Sequence, residues 1–286
     1  MTEQHVVVTG ASTGIGKACV SFLIEQGFHV WGSVRRAQDA VRLAQDFGDR
    51  FHSLLFDVTD ATAIAQAAET VSEALQGQTL FGLVNNAGVA ESGPLKDIDP
   101  ERIRTQLDIN VIGPLMVTQA FLPLLGGVKD HQGNPGRIVN MSSVSGKRAA
   151  PFLGPYAMSK FALEAQSDAF RRELMLYGVD VVVVQPGPIV TPIWDKAADL
   201  DVSDYQQSDY FDILEKFQAA AVERGKQGLP AIDVAKVVYR ALTLPKPKAR
   251  YVVTKNKFMS STLLSFIPDR VLDRIIARQL GLKKDH

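Results

Sequence analysis

The sequence predicts an α/β fold: one doubly wound parallel sheet with helices on both faces. Three observations carry that reading. Short apolar runs alternate with longer helical patterns along the chain, the rhythm of repeated strand–helix–strand units. Val181-Val182-Val183-Val184 has no polar alternation, as expected of a central parallel strand covered on both sides. The run from His5 to Thr9 leads directly into Gly10-Ala11-Ser12-Thr13-Gly14-Ile15-Gly16, a strand turning into a helix through glycines.

The elements follow in order. Strands are expected at 6–9 (Val6, Val7, Val8), 30–34 (Val30, Trp31, Val34), 51–56 (Phe51, Leu54, Phe56) and 80–85 (Leu80, Leu83, Val84). Two more are expected at 137–142 (Ile138, Val139, Met141) and 179–185 (the four valines), with a further one at 250–254. Helices are expected at 16–26, 61–76, 100–125, 155–177 and 231–243, where apolar residues recur at helical spacing.

The 286 residues, 46% of them hydrophobic, can bury a full core as a single domain over 1–286. No repeat, low-complexity tract or Pro/Gly/Ser linker marks a boundary. Lys and Arg total 31 against 31 Asp and Glu, so no global charge points to nucleic acid or a strongly acidic partner. Cys19 is the only cysteine, which excludes an intrachain disulfide. The first strand begins too early for a signal peptide, and no run reaches the ~18 apolar residues of a transmembrane helix. A soluble, cytoplasmic protein is expected.

The chemistry is carried by Tyr156-Ala157-Met158-Ser159-Lys160, thirteen residues past Ser143. Four residues apart, Tyr156 and Lys160 share a helix face. A tyrosine hydroxyl ionises near pH ~10 in water, and a neighbouring ammonium favours its anion. Ser143 would hydrogen-bond the oxygen on which charge develops; Ser142, its neighbour on a strand, faces the other side. Glycines at 10, 14 and 16 let backbone approach a pyrophosphate at a helix N-terminus. An alternative reading is a tight turn without a ligand.

Taken together, Thr9-Gly10-x-x-x-Gly14-Ile15-Gly16, Asn85-Asn86-Ala87-Gly88, Asn110, Ser143, Tyr156-x-x-x-Lys160 and Pro186-Gly187 resemble the short-chain dehydrogenase/reductase family over roughly residues 5 to 195. The resemblance implies a Rossmann-type domain, a nicotinamide cofactor and hydride transfer to a carbonyl or from an alcohol. It assigns Tyr156 as general acid/base, Lys160 to the nicotinamide ribose and the phenol, Ser143 to the substrate oxygen, and Asn110 to a water that passes protons outward. Cofactor contacts are expected from Gly10, Ser12, Thr13, Gly14, Ile15, Gly16, Asp57, Val58, Asn85, Ala87, Gly88, Pro186, Gly187, Ile189 and Thr191, besides Tyr156 and Lys160. Asp57 reads equally as a turn aspartate, and Asn86 is weighted below Asn85.

About 20 residues past the glycine turn, where NAD enzymes usually place an acid, stand Arg35 and Arg36. Two guanidinium groups suit a 2′-phosphate, so NADP(H) is favoured over NAD(H). The residues from about 190 to 226 read as a helical substrate lid rich in aromatics. Pocket candidates Val89, Val144, Phe152, Leu153 and Trp194 are largely apolar, which favours a hydrophobic ketone, aldehyde or alcohol of steroid, retinoid or lipid type. The tail, about 258–282, carries Leu263, Leu264, Phe266, Ile267, Val271, Leu272, Ile275, Ile276 and Leu280, with Arg270, Arg274 and Arg278 opposite. This amphipathic helix is loosely similar to the steroid- and retinol-dehydrogenase branch. It would cap the pocket, meet another subunit or rest peripherally on an anionic membrane. The resemblance also implies a homodimer or homotetramer, and no metal site is expected. Rival readings are an NAD(H)-dependent alcohol dehydrogenase of the same family, another reaction on the same fold, and a non-catalytic NADP(H)-sensing regulator.

Overall fold

The computed structural model describes residues 3–198, 202–255 and 267–282. Its main sheet holds seven parallel strands: β1 (His5–Val8), β2 (His29–Val34), β3 (Phe51–Leu55), β4 (Gly82–Asn85), β5 (Arg137–Met141), β6 (Asp180–Pro186) and, late in the chain, Arg250–Val253. Their order is β3-β2-β1-β4-β5-β6 followed by the Arg250–Val253 strand, the doubly wound Rossmann arrangement. The order reverses between β1 and β4, and open sheets of this kind bind ligands in the crevice beyond the carboxyl ends of such strands.

Both sheet faces are covered, and the strands show it residue by residue. Val6, Val8, Val30, Val84, Val139, Val182 and Val184 point to one core. There they meet α1 (Gly14–Glu25) and the Ala231–Thr243 helix through Leu23, Val234, Val238 and Leu242. Val7, Leu83, Ile138 and Val181 point to the other, against Ile64 and Val71 of α3 (Ala61–Leu75) and against Val117 and Phe121 of a later helix. Each fully buried valine contributes roughly 1.5–3 kcal/mol relative to exposure, which is why both alternating positions are apolar. Cys19 lies in the first core, and burial pushes its thiol up to about 12; it is an inert packing residue.

Between β2 and β3 runs a helix the sequence reading omitted, α2 (Ala37–Phe47), whose buried face carries Leu43 and Asp39. The helix expected at 100–125 is broken into α4 (Pro100–Leu107), a π-helical turn Asp108–Ile112, and α5 (Gly113–Phe121). The expected 155–177 helix is α6 (Gly154–Glu173), tightening into a 3₁₀ turn Leu174–Tyr177. After β6 come β7 (Ile189–Val190), α7 (Ile193–Ala198), a 3₁₀ turn Ser203–Tyr205, α8 (Phe211–Lys226) and β8 (Leu229–Pro230). β7 and β8 pair as a small parallel sheet that no sequence pattern announced. The Ala231–Thr243 helix is then α9 and the Arg250–Val253 strand β9, followed by α10 (Asp269–Leu280).

Of the expected tail, Leu263, Leu264 and Phe266 lie outside the described residues. α10 sends Leu280, with Leu282 just past it, against the aromatic cluster of Phe152, Tyr205 and Leu214, while Arg270, Arg274 and Arg278 are exposed. Among the described residues no helix is long and apolar enough to cross a membrane.

Candidate active site

The glycine turn is built by backbone requirements. Gly10 and Gly14 have φ of 67° and 57°, the left-handed region that other residues enter at a cost. A Cβ on Gly16 would lie 2.1 Å from the Gly10 carbonyl and 2.6 Å from Asn86 Nδ2, so only glycine fits. Asn86 donates to the carbonyls of Thr9 (2.9 Å) and Gly10 (3.2 Å), and Thr9 Oγ1 accepts the amides of Asn86 and Ala87, both at 3.0 Å. Asn85, by contrast, is buried and gives its amide to Thr118 and Asn140. Asn86 thus holds the turn, and the Asn85 side chain braces β4 against β5 and α5.

At the start of α1, Thr13 makes no side-chain cap and the first turn carries no acidic residue. The first amides of a helix have no intrahelical partner, so this end is open to an anion. Thr191 closes it from the far side, its Cγ2 3.3 Å from where a Cβ on Gly14 would sit. These residues fit a dinucleotide pyrophosphate.

At the ribose end the two arginines differ. Arg36 Nε donates to Asp39 Oδ2 at 2.9 Å, whereas Arg35 reaches only Asp57 Oδ2, at 3.7 Å, and its side chain is 66% exposed. A third arginine went unnoticed: Arg42 grips Asp39 Oδ1 at 2.7 Å and the Ser12 carbonyl at 3.1 Å, tying α2 to the glycine turn. Its i+3 spacing from Asp39 was the available signal. Asp57 Oδ1 accepts from the amide and hydroxyl of Thr59, a turn aspartate whose other oxygen faces Arg35. The Val58 side chain is buried in the second core, so only its backbone is available.

Ser143, Tyr156, Lys160 and Asn110 converge beside Gly88. A Cβ there would stand 3.0 Å from Asn110 Oδ1 and 3.8 Å from Lys160 Nζ. Asn110 sits in the π turn, a device that re-aims one residue within a helix. Its Oδ1 accepts the Val89 amide at 2.9 Å, and its Nδ2 donates to the Val89 carbonyl (2.8 Å) and Ser159 Oγ (3.0 Å). Both Nδ2 hydrogens are thus engaged, while Oδ1 keeps a second acceptor position. Ser143 Oγ accepts the Ser145 amide at 3.1 Å, reaches the Pro186 carbonyl at 3.4 Å and hydrogen-bonds the Tyr156 phenol.

The electrostatics depart from the simple pairing expected of Tyr156 and Lys160. Lys160 Nζ donates to the Met141 carbonyl at 2.9 Å and lies 5.6 Å from the Tyr156 ring centroid, against the ring. Burial pushes the phenol above its ordinary value, with the Ser143 hydrogen bond opposing. Burial also pushes the Lys160 ammonium down to about 8, with the Glu164 charge opposing. Glu164 itself accepts from Gln185 and from Arg250 Nε, both at 2.8 Å.

Two pocket candidates make contacts between segments. Trp194 donates to the Ile189 carbonyl at 2.6 Å and lies so close to Gly225 that any Cβ there would overlap its ring; it pins α8 to β7. Phe152, at φ 64°, packs edge-on against Tyr210 and Phe217. Bulky rings at both positions fill the contacts between segments. Val89 is held by Asn110, and Val144 and Leu153 flank the Ser143 and Tyr156 segments.

Residues 4–201 match the short chain dehydrogenase family. The chain is 42% identical over 277 residues, 97% of each protein, to an NADPH-dependent 3-dehydrocapnine reductase of Ornithobacterium rhinotracheale. It is 34% identical over 289 residues, 97% of this chain and 89% of the relative, to 17-beta-hydroxysteroid dehydrogenase type 6 of Bos taurus. Its fold matches a short-chain dehydrogenase from Streptomyces avermitilis, with a TM-score of 0.76 at 23% identity over 99% of both chains. The glycine turn, the Ser143–Tyr156–Lys160–Asn110 group and these similarities agree, and the chain belongs to the short-chain dehydrogenase family of oxidoreductases.

Proposed function

We propose that the protein is an NADP(H)-dependent reductase of a hydrophobic ketone or aldehyde, with Tyr156 as the proton donor. The observation that carries it is the gathering of Lys160 Nζ and Asn110 Oδ1 about Gly88, with Ser143 bonded to the Tyr156 phenol. Bound dinucleotide would supply the hydride. The chain's own residues do the rest. A phenol held neutral by burial keeps the proton that a newly formed alkoxide needs. The Ser143 hydroxyl, fixed by the Ser145 amide, would hydrogen-bond the same oxygen and favour its developing charge. The Lys160 ammonium, buried beside the ring, would favour the phenolate left behind. Asn110 would keep Val89 and α6 in register.

NADP(H) is favoured by the Arg35 guanidinium, which is held only by a long 3.7 Å pair with Asp57, and by the NADPH dependence of the 42% identical relative. The aromatic cluster of Phe152, Tyr205, Tyr210 and Phe217 supports reading α7 to α8 as a lid over an apolar substrate. The exposed apolar side chains of Ile112, Met158 and Phe161 support a homodimer or homotetramer built through the π turn before α5 and through α6.

The test is NADPH oxidation over a panel of apolar ketones and aldehydes. Turnover that disappears in Tyr156→Phe while NADPH still binds supports the reading. Binding without turnover of any carbonyl by the unaltered protein sinks it in favour of a sensor.

A further inference from the structure

The segment from β7 to β8 is fastened to the body in two ways. At its base, Ile189 belongs to the first core, Trp194 donates to the Ile189 carbonyl, and β7 pairs with β8. At its tip, Tyr205 and Leu214 join Phe152 in a third core that shares no side chain with the two on either face of the sheet. Leu280 and Leu282, at the end of α10, pack on the same cluster. A unit with so few buried apolar side chains opens at a lower free energy than the sheet. Its polar ties to the body therefore decide how often the tip opens.

Those ties meet at Arg102 of α4. Its Nε and Nη2 both donate to Glu91 Oε2, at 3.0 and 2.7 Å, and its Nη1 donates to the Tyr205 hydroxyl at 3.2 Å and lies 3.8 Å from Asp204 Oδ2. Glu91 stands on the loop that leaves Gly88, and that loop is itself held: Val89 by Asn110, and the Glu91 amide by the fully buried Gln106 at 2.5 Å. The same loop is shaped to receive the tyrosine. A Cβ on Gly93 would stand 2.5 Å from the Tyr205 hydroxyl oxygen, and the Gly93 amide donates to the Phe152 carbonyl at 2.8 Å. Phe152, at φ 64°, holds a conformation that a non-glycine residue keeps only where its surroundings impose it. The tip thus rests on the two segments that flank the reacting group, one leading from Gly88 and the other into Tyr156. Two further ties, Lys96 to Asp209 at 2.6 Å and Ser208 to Asp97 at 2.5 Å, are exposed and weaker for that reason.

We infer that Arg102 is the latch of a lid over the reacting group: its bonds to Tyr205 and Glu91 hold the tip from Ser203 to Phe211 shut, and α10 moves with that tip. The role of the lid rests on the reductase reading, but the latch is tested without turnover, by hydrogen exchange and mass spectrometry on the full chain.

Arg102→Gln should speed exchange in peptides covering 203–214 and 269–282 by about tenfold or more, the loss of hydrogen bonds to a charged group, and leave β1, β4, β5 and β6 unchanged. Tyr205→Phe, which keeps the ring and removes the hydroxyl, should speed the same peptides by a smaller factor, and Lys96→Gln by less than either. Exchange that stays slow in both Arg102→Gln and Tyr205→Phe overturns the latch. Acceleration spread through the sheet also overturns it, since Arg102 would then support the whole fold. An effect of Lys96→Gln as large as that of Arg102→Gln overturns the choice of residue. With NADPH and an apolar ketone, Arg102→Gln and Tyr205→Phe should raise the KM for the ketone by about threefold or more and leave that for NADPH unchanged. Local acceleration with an unchanged ketone KM keeps the reductase and removes the gate. Local acceleration in a protein that reduces no carbonyl keeps the latch and removes the reductase.

Discussion

Asn110 and Val89 hold each other by two hydrogen bonds: the Val89 amide donates to Asn110 Oδ1 at 2.9 Å, and Asn110 Nδ2 returns one to the Val89 carbonyl at 2.8 Å. The pair locks the π turn to the strand-end loop that follows β4 and so sets the wall on which Gly88 and Lys160 meet. Asn110→Ala would strand the part-buried amide and carbonyl of Val89, at a cost of up to about 1 kcal/mol each. The expected outcome is a lower thermal midpoint together with at least about a tenfold fall in kcat. Full activity with lowered stability would show that the pair only holds the fold.

A second prediction concerns the proton carried by Lys160. Burial lowers its folded value to about 8, below the ordinary lysine range, so the sign is fixed. Below about pH 8 the ammonium is charged in both folded and unfolded chains, and the burial penalty is fully present. From there to the ordinary value near 10.5 the folded chain has lost a proton that the unfolded chain keeps, and stability rises with pH. Activity should run the other way, since the ammonium is the useful form, and kcat/KM should fall above about pH 8. Glu164→Gln removes the opposing charge and should move that fall downward by about one unit. Glu164→Asp should largely restore it. An alkaline limb indifferent to Glu164→Gln would remove Glu164 from any electrostatic role.

The limits of sequence reading have physical causes. All seven main strands stood within a residue or two of their expected places, the inner ones because a doubly covered strand must be apolar at consecutive positions. Tyr156 and Lys160 were legible because helical geometry alone puts residues four apart on one face. Their environment was not: the Met141 carbonyl that receives Lys160 and the burial that raises the phenol come from segments distant in sequence. The π turn escaped because one inserted residue leaves the surrounding helical pattern intact. α2 was passed over because half of its apolar positions are alanines (Ala37, Ala40, Ala44) interleaved with Gln38, Asp39, Arg42, Gln45 and Asp46, although Ala40, Leu43 and Phe47 recur at helical spacing. β7 and β8 have two residues each, too few for any period to show.

Cofactor selectivity should rest unequally on the two arginines after β2. Both side chains are largely exposed, but Arg36 is committed to Asp39, which Arg42 also holds, while Arg35 is bound only at 3.7 Å. Arg35→Ala should therefore weaken NADPH by about tenfold or more, the loss of one charge-assisted fork, with NADH little changed. Arg36→Ala should have the smaller selective effect. Titration of cofactor fluorescence with both dinucleotides decides the matter, and equal losses of NADPH and NADH in Arg35→Ala would remove the 2′-phosphate assignment.

The amino ends of the first three strands carry a proton-sensitive cluster. His29 Nδ1 and His52 Nε2 are 3.3 Å apart, Trp31 Nε1 donates to His5 Nδ1 at 3.2 Å, and His52 stacks on Trp31 with ring centroids 4.5 Å apart. Glu3, 3.7 Å from His29, is the nearby acid. Burial first, and then the charges of neighbouring histidines, lower His5 and His52 below the ordinary value, with Glu3 opposing. A histidine whose folded value is depressed favours folding above its unfolded value near 6.5 and loses that contribution as pH falls, because the unfolded chain takes up the proton first. The thermal midpoint should decline between about pH 6.5 and 5. His52→Phe keeps a ring on Trp31 and removes one titrating group, so its midpoint should decline less steeply, by a few degrees at roughly 2–4 °C per kcal/mol. Melting curves taken at half-unit pH steps distinguish the two slopes, and parallel declines in both proteins would place the acid sensitivity elsewhere.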